Sequence, residues 1–591
     1  MAKNQKYLKY SKEQLIDEIE IIKSKKEYGI TWEPQKENVI EKCKKEIPLI
    51  REQTNKSFKK DKELDYNFLI EGDNYHTLSV LNYTHPKSFD LIYIDPPYNT
   101  GNNDFYYNDK LVNDDDSYKH SKWLSFMSSR LELANKLLSN DGLFACSIDD
   151  NEFSQLKLLM DKIFKEKNIK TIVVKMSEAS GLKMTSVKRL GTIPKYKEFL
   201  ILAKKGGVRN LEFDFIKKSE WDNEYNIFLE NFTLEDKKKI DEISQKKEIT
   251  DKDLNLIDKK ILKKVKISSL NKHYPKSLKD KNDIKKWNID NAWRICRTAA
   301  SPSVKKLVDD KKKVLKQILF CVKSKRDNLI YLAKSDYLKS SKKPRCQLVF
   351  AENNLSYHPG DIWSDISTTG LNNEGGVEFS NGKKPLQLMK RIIKSVKKKD
   401  ALILDFFAGS ASTVEAVLQL NKEDGGKRKY VVCENNPNST KTNIVNDKCL
   451  QRIKNVSITG YGKNKPIPSN LKVFKTFFIE RTFSDLDKIK ITKEMTDIIC
   501  FKENKFNSIE IKNSYKFFAG SNSKNYLGIL FNLDDLNKFI EFIKNKDVKF
   551  KLYVFSLGND NFEDEFYEIR DKISIMPIPN SLLEVYKKIF K

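Results

Sequence analysis

Leu91-Ile92-Tyr93-Ile94-Asp95-Pro96-Pro97-Tyr98-Asn99-Thr100-Gly101 sets an apolar run against an abrupt stop. Four mostly apolar residues read as a buried strand. The prolines that follow lack backbone donors and fix φ, so neither strand nor helix continues past Asp95. Asp95 offers a carboxylate, the Pro96 peptide offers a carbonyl oxygen, and the Pro96-Pro97 pair holds both rigid. Two adjacent acceptors match an exocyclic amine with two N–H donors. Tyr98 adds a flat face on which a planar ring stacks, as in enzymes that flip a base out of the duplex. From this stretch alone, an aminated-nucleobase site stands beside a plainer reading, a proline-terminated strand with a surface turn.

The flanks alternate between strand and helix patterns. Phe68 to Ile70 reads as a strand ending in the turn Glu71-Gly72-Asp73-Asn74, with a helix over 74–84. Gly101 to Ser117 carries five Asp and four Asn without periodicity, a long loop beside the site. Trp123, Leu124, Met127, Leu131, Ala134 and Leu138 predict a helix over 121–138, with Asp141-Gly142 as its stop. Strands at 143–148, 171–174 and 198–203 and a helix over 152–164 follow. After residue 355 the alternation returns: a helix over 385–396, strands at 401–407 and 430–433, and a helix over 413–421. This pattern predicts an α/β fold with a mostly parallel sheet covered on both faces.

A second stretch, Leu402-Ile403-Leu404-Asp405-Phe406-Phe407-Ala408-Gly409-Ser410-Ala411-Ser412-Thr413, runs from a buried strand through a small-residue turn into a helix N-terminus. That layout lets a nucleotide-type cofactor approach the backbone closely, and Glu434 at the end of the next strand can accept hydrogen bonds from both ribose hydroxyls. The turn matches neither the G-x-G-x-x-G fingerprint nor a P-loop.

Between the two stretches, from about 205 to 355, charges crowd in and apolar spacing becomes irregular. Residues 301–350 hold 14 Lys plus Arg against 4 Asp plus Glu. Trp287 and Trp293 sit beside Arg294 and Arg297, a combination suited to phosphate or base-edge contacts. A Lys-rich solvated helical domain is the alternative. The whole chain of 591 residues has a formal charge of +28, which fits a polyanion partner, although its Lys, Ile and Asn bias also arises from genome composition. Residues 11–28 pattern as an amphipathic helix opened by Ser11 and Gln14. The chain beyond about 470 reads as a small α+β domain. With no apolar run of membrane length and no leader pattern, a cytoplasmic protein is expected. Scattered cysteines and histidines predict free thiols and no metal site.

Taken together, Asp95-Pro96-Pro97-Tyr98 upstream and Phe407-Ala408-Gly409-Ser410 downstream resemble the β-class of amino-methylating DNA methyltransferases, most closely the modification (Mod) subunits of type III restriction-modification systems. The flanks carry the likeness too: Glu71-Gly72-Asp73-Asn74, Ser147-Ile148-Asp149-Asp150-Asn151-Glu152 and Gly382-Lys383-Lys384-Pro385. The resemblance implies a Rossmann-like core dependent on S-adenosylmethionine, circularly permuted in motif order. It divides the chain into an N-terminal helical arm (1–65), a catalytic half (66–205), an inserted target recognition domain (206–355), a cofactor half (356–470) and the C-terminal domain (471–591). The implied reaction is site-specific methylation of adenine N6 in double-stranded DNA, with Asp95, Pro96, Pro97 and Tyr98 catalytic. Asp405, Phe407, Ala408, Gly409, Ser410 and Glu434, joined by Asp73 and Lys384, would hold the cofactor. Asn99, Arg294 and Arg297 are candidate DNA contacts. Other readings are N4-cytosine methylation and a chain that chiefly guides a restriction helicase-nuclease. A homodimer and a restriction (Res) subunit are the implied protein partners. The family pattern has glycine where Ala411 stands.

Overall fold

The computed structural model describes residues 11–13, 15–16, 30–101, 104–108, 110–178, 187–278, 280–324, 328–337, 343–379, 382–436, 443–480, 485–520, 525–558, 560, 562 and 564–590. The helix expected over 11–28 lies largely outside them. Two compact units divide the chain, residues 1–213 with 360–591 and, inserted between those stretches, residues 214–359.

The first unit holds a ten-stranded sheet. Its strands in chain order are β1 (Glu46–Glu52), β2 (Tyr66–Glu71), β3 (Phe89–Ile94), β4 (Leu138–Ile148), β5 (Ile169–Lys175), β6 (Lys197–Lys204), β7 (Ile362–Trp363), β8 (Leu402–Asp405), β9 (Lys429–Glu434) and β10 (Asn470–Glu480). In space they run β1-β10-β2-β9-β8-β3-β4-β6-β5-β7. The stretch from β10 to β4 is parallel throughout, and β6 lies antiparallel between β4 and β5.

Strands covered on both faces read as continuous apolar runs, and successive side chains serve opposite cores. Ile92, Ile94 and Leu404 enter a core built with α1 (Asn74–Thr84), α2 (Lys119–Leu137) and α3 (Phe153–Phe164). Leu91, Tyr93 and Ile403 enter the other, with α4 (Leu386–Ser395) and α5 (Ser412–Asp424). Each half of the interrupted core thus supplies the helices of one face. From β3 the chain moves outward to β4, and from the adjacent β8 it moves the other way to β9. The crevice at the carboxyl ends of two such strands is where open α/β sheets bind ligands.

Three expectations change. Asp141-Gly142 does not stop a helix: α2 ends at Leu137, and the pair lies inside β4, where the register with β3 shifts. Gly142 is required there because a Cβ would come within 2.7 Å of the Phe89 carbonyl oxygen. The segment before residue 65 is more than a helical arm, since it contributes a helix (Asn38–Lys45) and the edge strand β1. Pro48 is tolerated in β1 because only β10 pairs with it. The strand at 470–480 likewise belongs to the large sheet. Beyond it, a five-stranded sheet (507–511, 515–519, 525–530, 549–555, 573–578) docks through the helix Asn580–Ile589, whose Tyr586 hydroxyl donates to the Pro48 carbonyl at 2.7 Å.

The unit at 214–359 is built on a six-stranded antiparallel sheet rather than on helices alone. Among the described residues, no helix is long and apolar enough to cross a membrane.

Candidate active site

β3 ends at Ile94, and the Pro97 carbonyl accepts the indole N–H of the buried Trp123 on α2 at 2.7 Å, which pins the turn. Asp95 does not stand alone. Lys384, just before α4, places its ammonium 2.9 Å from Asp95 Oδ2 and 3.2 Å from Oε2 of Glu198 on β6. The Tyr98 hydroxyl lies 2.8 Å from Asp95 Oδ1 and 2.9 Å from the same Glu198 oxygen. Burial raises the Asp95 carboxyl above the usual range, Lys384 opposes that rise and Glu198 adds to it. Against a desolvation that would lower it, the Lys384 ammonium is held above the ordinary lysine range by the two carboxylates. Lys384, expected at the cofactor, therefore has its charge at the Asp95 carboxylate. Glu198, which reads only as the start of a strand, is part of the same cluster.

At the end of β8, Asp405 accepts the Phe407 N–H at 3.1 Å and the Thr413 hydroxyl at 2.5 Å. The turn that follows is held to β9: the Ala408 N–H donates to the Cys433 carbonyl at 3.1 Å, and the Gly409 N–H donates to Glu434 Oε2 at 2.5 Å. Glu434 Oε1 also accepts the Asn435 N–H at 3.1 Å. Burial, opposed by these neutral donors, pushes both Asp405 and Glu434 up to about 7. Gly409 has φ +51° and Ala411 φ +60°, so the turn takes two left-handed steps. Beneath it, the fully buried Arg452 donates to the Ser410 and Ser412 hydroxyls at 3.1 and 2.8 Å and to Glu415 at 2.8 Å. The Ser410 side chain is thereby turned inward, an arrangement that no local pattern in the sequence announced. Asp73 caps α1 by accepting the Tyr75 N–H at 2.7 Å and lies 3.3 Å from Arg130, whose guanidinium is also paired with Glu37 at 2.6 Å.

β3 and β8 are neighbours, with Leu404 opposite Ile92, so the two stretches open into one cavity of about 810 Å³. Asp95, Pro96, Pro97, Tyr98 and Lys384 line it together with Asp405, Phe407, Ala408, Gly409, Ser410, Glu434 and Asp73. The described part of the 101–117 loop contributes Asp104, Phe105, Tyr106 and Asn108.

The candidate DNA contacts fare differently. Asn99 is 2% exposed and its amide donates to Glu152 at 2.6 Å, so it serves the fold and is not offered to a duplex. Arg294 donates to Asn291 and lies 4.6 Å from the Phe228 ring, and Arg297 is paired with Glu224. Trp287 and Trp293 pack against the apolar clusters of their own unit.

The profile of the family described as DNA methylase, of the N6/N4 methyltransferase type, matches residues 89–445. A probable type III restriction-modification enzyme HindVI Mod subunit from Haemophilus influenzae is 32% identical over 60% of this chain and 48% of its own length. The type II methyltransferase M.KpnI of Klebsiella pneumoniae is 29% identical over 66% of this chain and 85% of that protein. The type III EcoPI Mod subunit of Escherichia phage P1 is 29% identical over 78% of this chain and 70% of that protein. The matched stretch thus spans about half the HindVI subunit.

Proposed function

This chain belongs to the DNA methylase family, and from that membership we propose that it methylates adenine N6 in double-stranded DNA as the modification subunit of a type III restriction-modification system. The observation that carries the reading is the shared cavity, with an amine-accepting carboxylate at one end and a small-residue turn with two buried carboxylates at the other. The type III assignment is supported by relatives named as Mod subunits.

S-adenosylmethionine is the methyl donor of the family, and when bound it supplies an electrophilic methyl group. The donor set fits such a ligand: Glu434 and Asp405 are carboxylates supported only by neutral hydrogen bonds, so a ribose diol and a cationic methionine portion are welcome partners. Asp95 and the Pro96 carbonyl accept the two hydrogens of N6, draw the nitrogen toward tetrahedral geometry and aim its lone pair. Two carboxylates against one ammonium give the Asp95–Glu198–Lys384 cluster a net negative charge, which favours the positive charge that develops on N6. Tyr98, tethered at its hydroxyl, presents its ring for stacking on the flipped base.

The unit at 214–359 is the target recognition domain in this reading, and the chain works as a homodimer and with a Res partner. Modification-sensitive sequencing of DNA from a host expressing the chain tests it. N6-methyladenine confined to one short sequence is expected, and replacement of 214–359 by the equivalent unit of a relative should change that sequence. Absence of any base modification would refute the proposal.

A further inference from the structure

The hydrogen count around Tyr98 is incomplete. Its hydroxyl oxygen lies within hydrogen-bond distance of two carboxylate oxygens, 2.8 Å from Asp95 and 2.9 Å from Glu198, yet a hydroxyl carries one hydrogen and ionised carboxylates carry none. One of the two contacts therefore lacks a proton. Lys384 bonds Asp95 at the other oxygen, Oδ2, and Glu198 at the same Oε2 that Tyr98 touches, but its hydrogens point along its own contacts and none lies between the Tyr98 oxygen and either carboxylate. Tyr93 does not fill the gap either, because its hydroxyl bonds Ser147 at 2.9 Å. The row ends at Glu198, whose side chain is 21% exposed; Asp95, at 18%, faces the cavity that the flipped base would fill.

We infer that the Asp95–Tyr98–Glu198 row is the acceptor for the proton that the methylated amine must lose, with Glu198 the positioning residue at its outer end. The inference rests on the proposed methyl transfer and deepens it. In that reaction the N6 lone pair forms the bond to the methyl carbon as the carbon–sulfur bond breaks, leaving its electron pair on sulfur and a positive charge on N6. N6 then gives a proton to Asp95. Asp95 in turn donates to the Tyr98 oxygen, and the Tyr98 hydrogen passes to Glu198, so that both short contacts now contain a hydrogen. Release from Glu198 to solvent restores the starting state. Burial and the neighbouring Asp95 carboxylate keep the Tyr98 hydroxyl protonated through neutral pH, as a hydrogen carrier requires. The groups that bear on the row's charge are Lys384, Tyr93, the buried Cys146 and, across the cavity, Asp405.

Glu198→Gln keeps the shape of the row but cannot be protonated, and Tyr98→Phe keeps the ring but breaks the row. In single-turnover transfer from tritiated S-adenosylmethionine to bulk genomic DNA, each variant should be slowed about 10- to 100-fold at neutral pH. The deficit of Glu198→Gln should shrink as pH rises and hydroxide takes over. The double variant should be no slower than Tyr98→Phe alone. In the cofactor-free protein, the wild-type minus Tyr98→Phe infrared difference during acid titration should contain one protonated-carboxyl band, and Glu198→Gln should remove or move the same band. Parallel pH profiles, additive losses or an unchanged carboxyl spectrum would overturn the relay while leaving wild-type methyl transfer intact. Wild-type protein that transfers no methyl group to any DNA would instead overturn the methyltransferase reading and the relay with it.

Discussion

The two ends of the cavity bury carboxylates in opposite ways. At the catalytic end, Lys384 stands 2.9 Å from Asp95 and 3.2 Å from Glu198, so charge is met by charge. At the cofactor end, Asp405 and Glu434 are met by a hydroxyl and three backbone N–H groups, and among the described residues no cation pairs with either. A carboxylate with a buried counter-ion is set before substrate arrives, whereas one held by neutral donors is poised between its charged and neutral forms near pH 7. The difference separates the group proposed to orient an amine from the groups proposed to hold a cofactor.

The comparison breaks most visibly at Asp95. Asp95→Ala should cut methyl transfer by about 10²- to 10³-fold or more while DNA binding by mobility shift is retained, because an acceptor of the reacting amine is lost. Full activity in that variant would remove the basis for the site. Lys384→Met should turn the catalytic end into a second unpaired site. Deleting one partner of a buried ion pair costs roughly 3–5 kcal/mol, so a clear drop in Tm is expected together with a slower reaction, and a Tm equal to wild type would show that the pairing matters little.

At the other end, Glu434→Ala should weaken cofactor affinity by about tenfold or more by calorimetry, since charged hydrogen bonds contribute about 1.5–3 kcal/mol each. Unchanged affinity would count against its ribose role. Titration gives the sharper version. Both cofactor carboxyls are raised to about 7, and the ionised form is the one that accepts hydroxyl donors, so affinity should rise as pH increases through 7 and level off above it. Ligand-free stability runs the other way. A raised folded-state value means that the folded protein holds more protons than the unfolded chain between the ordinary carboxylate range and pH 7, so these two groups cost stability as pH rises through that window. Glu434→Gln should flatten the pH dependence of affinity in part; an identical slope would assign that dependence elsewhere.

The smallest effect expected is at Ala411. Its φ of +60° in the cofactor turn is a conformation that glycine adopts without the Cβ penalty. Ala411 is also fully buried in the core. Relief of the strain in Ala411→Gly is therefore offset by the lost methyl group and by the extra entropy of the unfolded chain, each about 0.5–1 kcal/mol, and the Tm of the cofactor-free protein should change little.

What could be read from the sequence follows from how each feature is encoded. Asp95, Asp405 and Glu434 stand at the ends of short apolar runs, where the change from buried strand to polar turn is local and visible. The alternation of those runs with helical periods was enough to give the parallel sheet. Glu198, Lys384 and Arg452 carry no such signal, because their meaning lies in the residues separating them from the groups they touch: 100 between Glu198 and Tyr98, 289 between Lys384 and Asp95, and 37 to 42 between Arg452 and Glu415, Ser412 and Ser410. Asn99 misleads for a related reason: a polar residue beside the motif reads as available, but its amide is spent on Glu152. Asp141-Gly142 misled because a turn dipeptide looks the same whether it ends a helix or makes a bulge against the Phe89 carbonyl.

Nucleoside mass spectrometry of genomic DNA incubated with the purified protein and isotope-labelled S-adenosylmethionine tests the central claim most directly. The two-acceptor site predicts label in N6-methyldeoxyadenosine with the wild type and, at equal incubation time, about 10²-fold less or lower with Asp95→Ala. Label in N4-methyldeoxycytidine, or undiminished label in the Asp95→Ala variant, would contradict it.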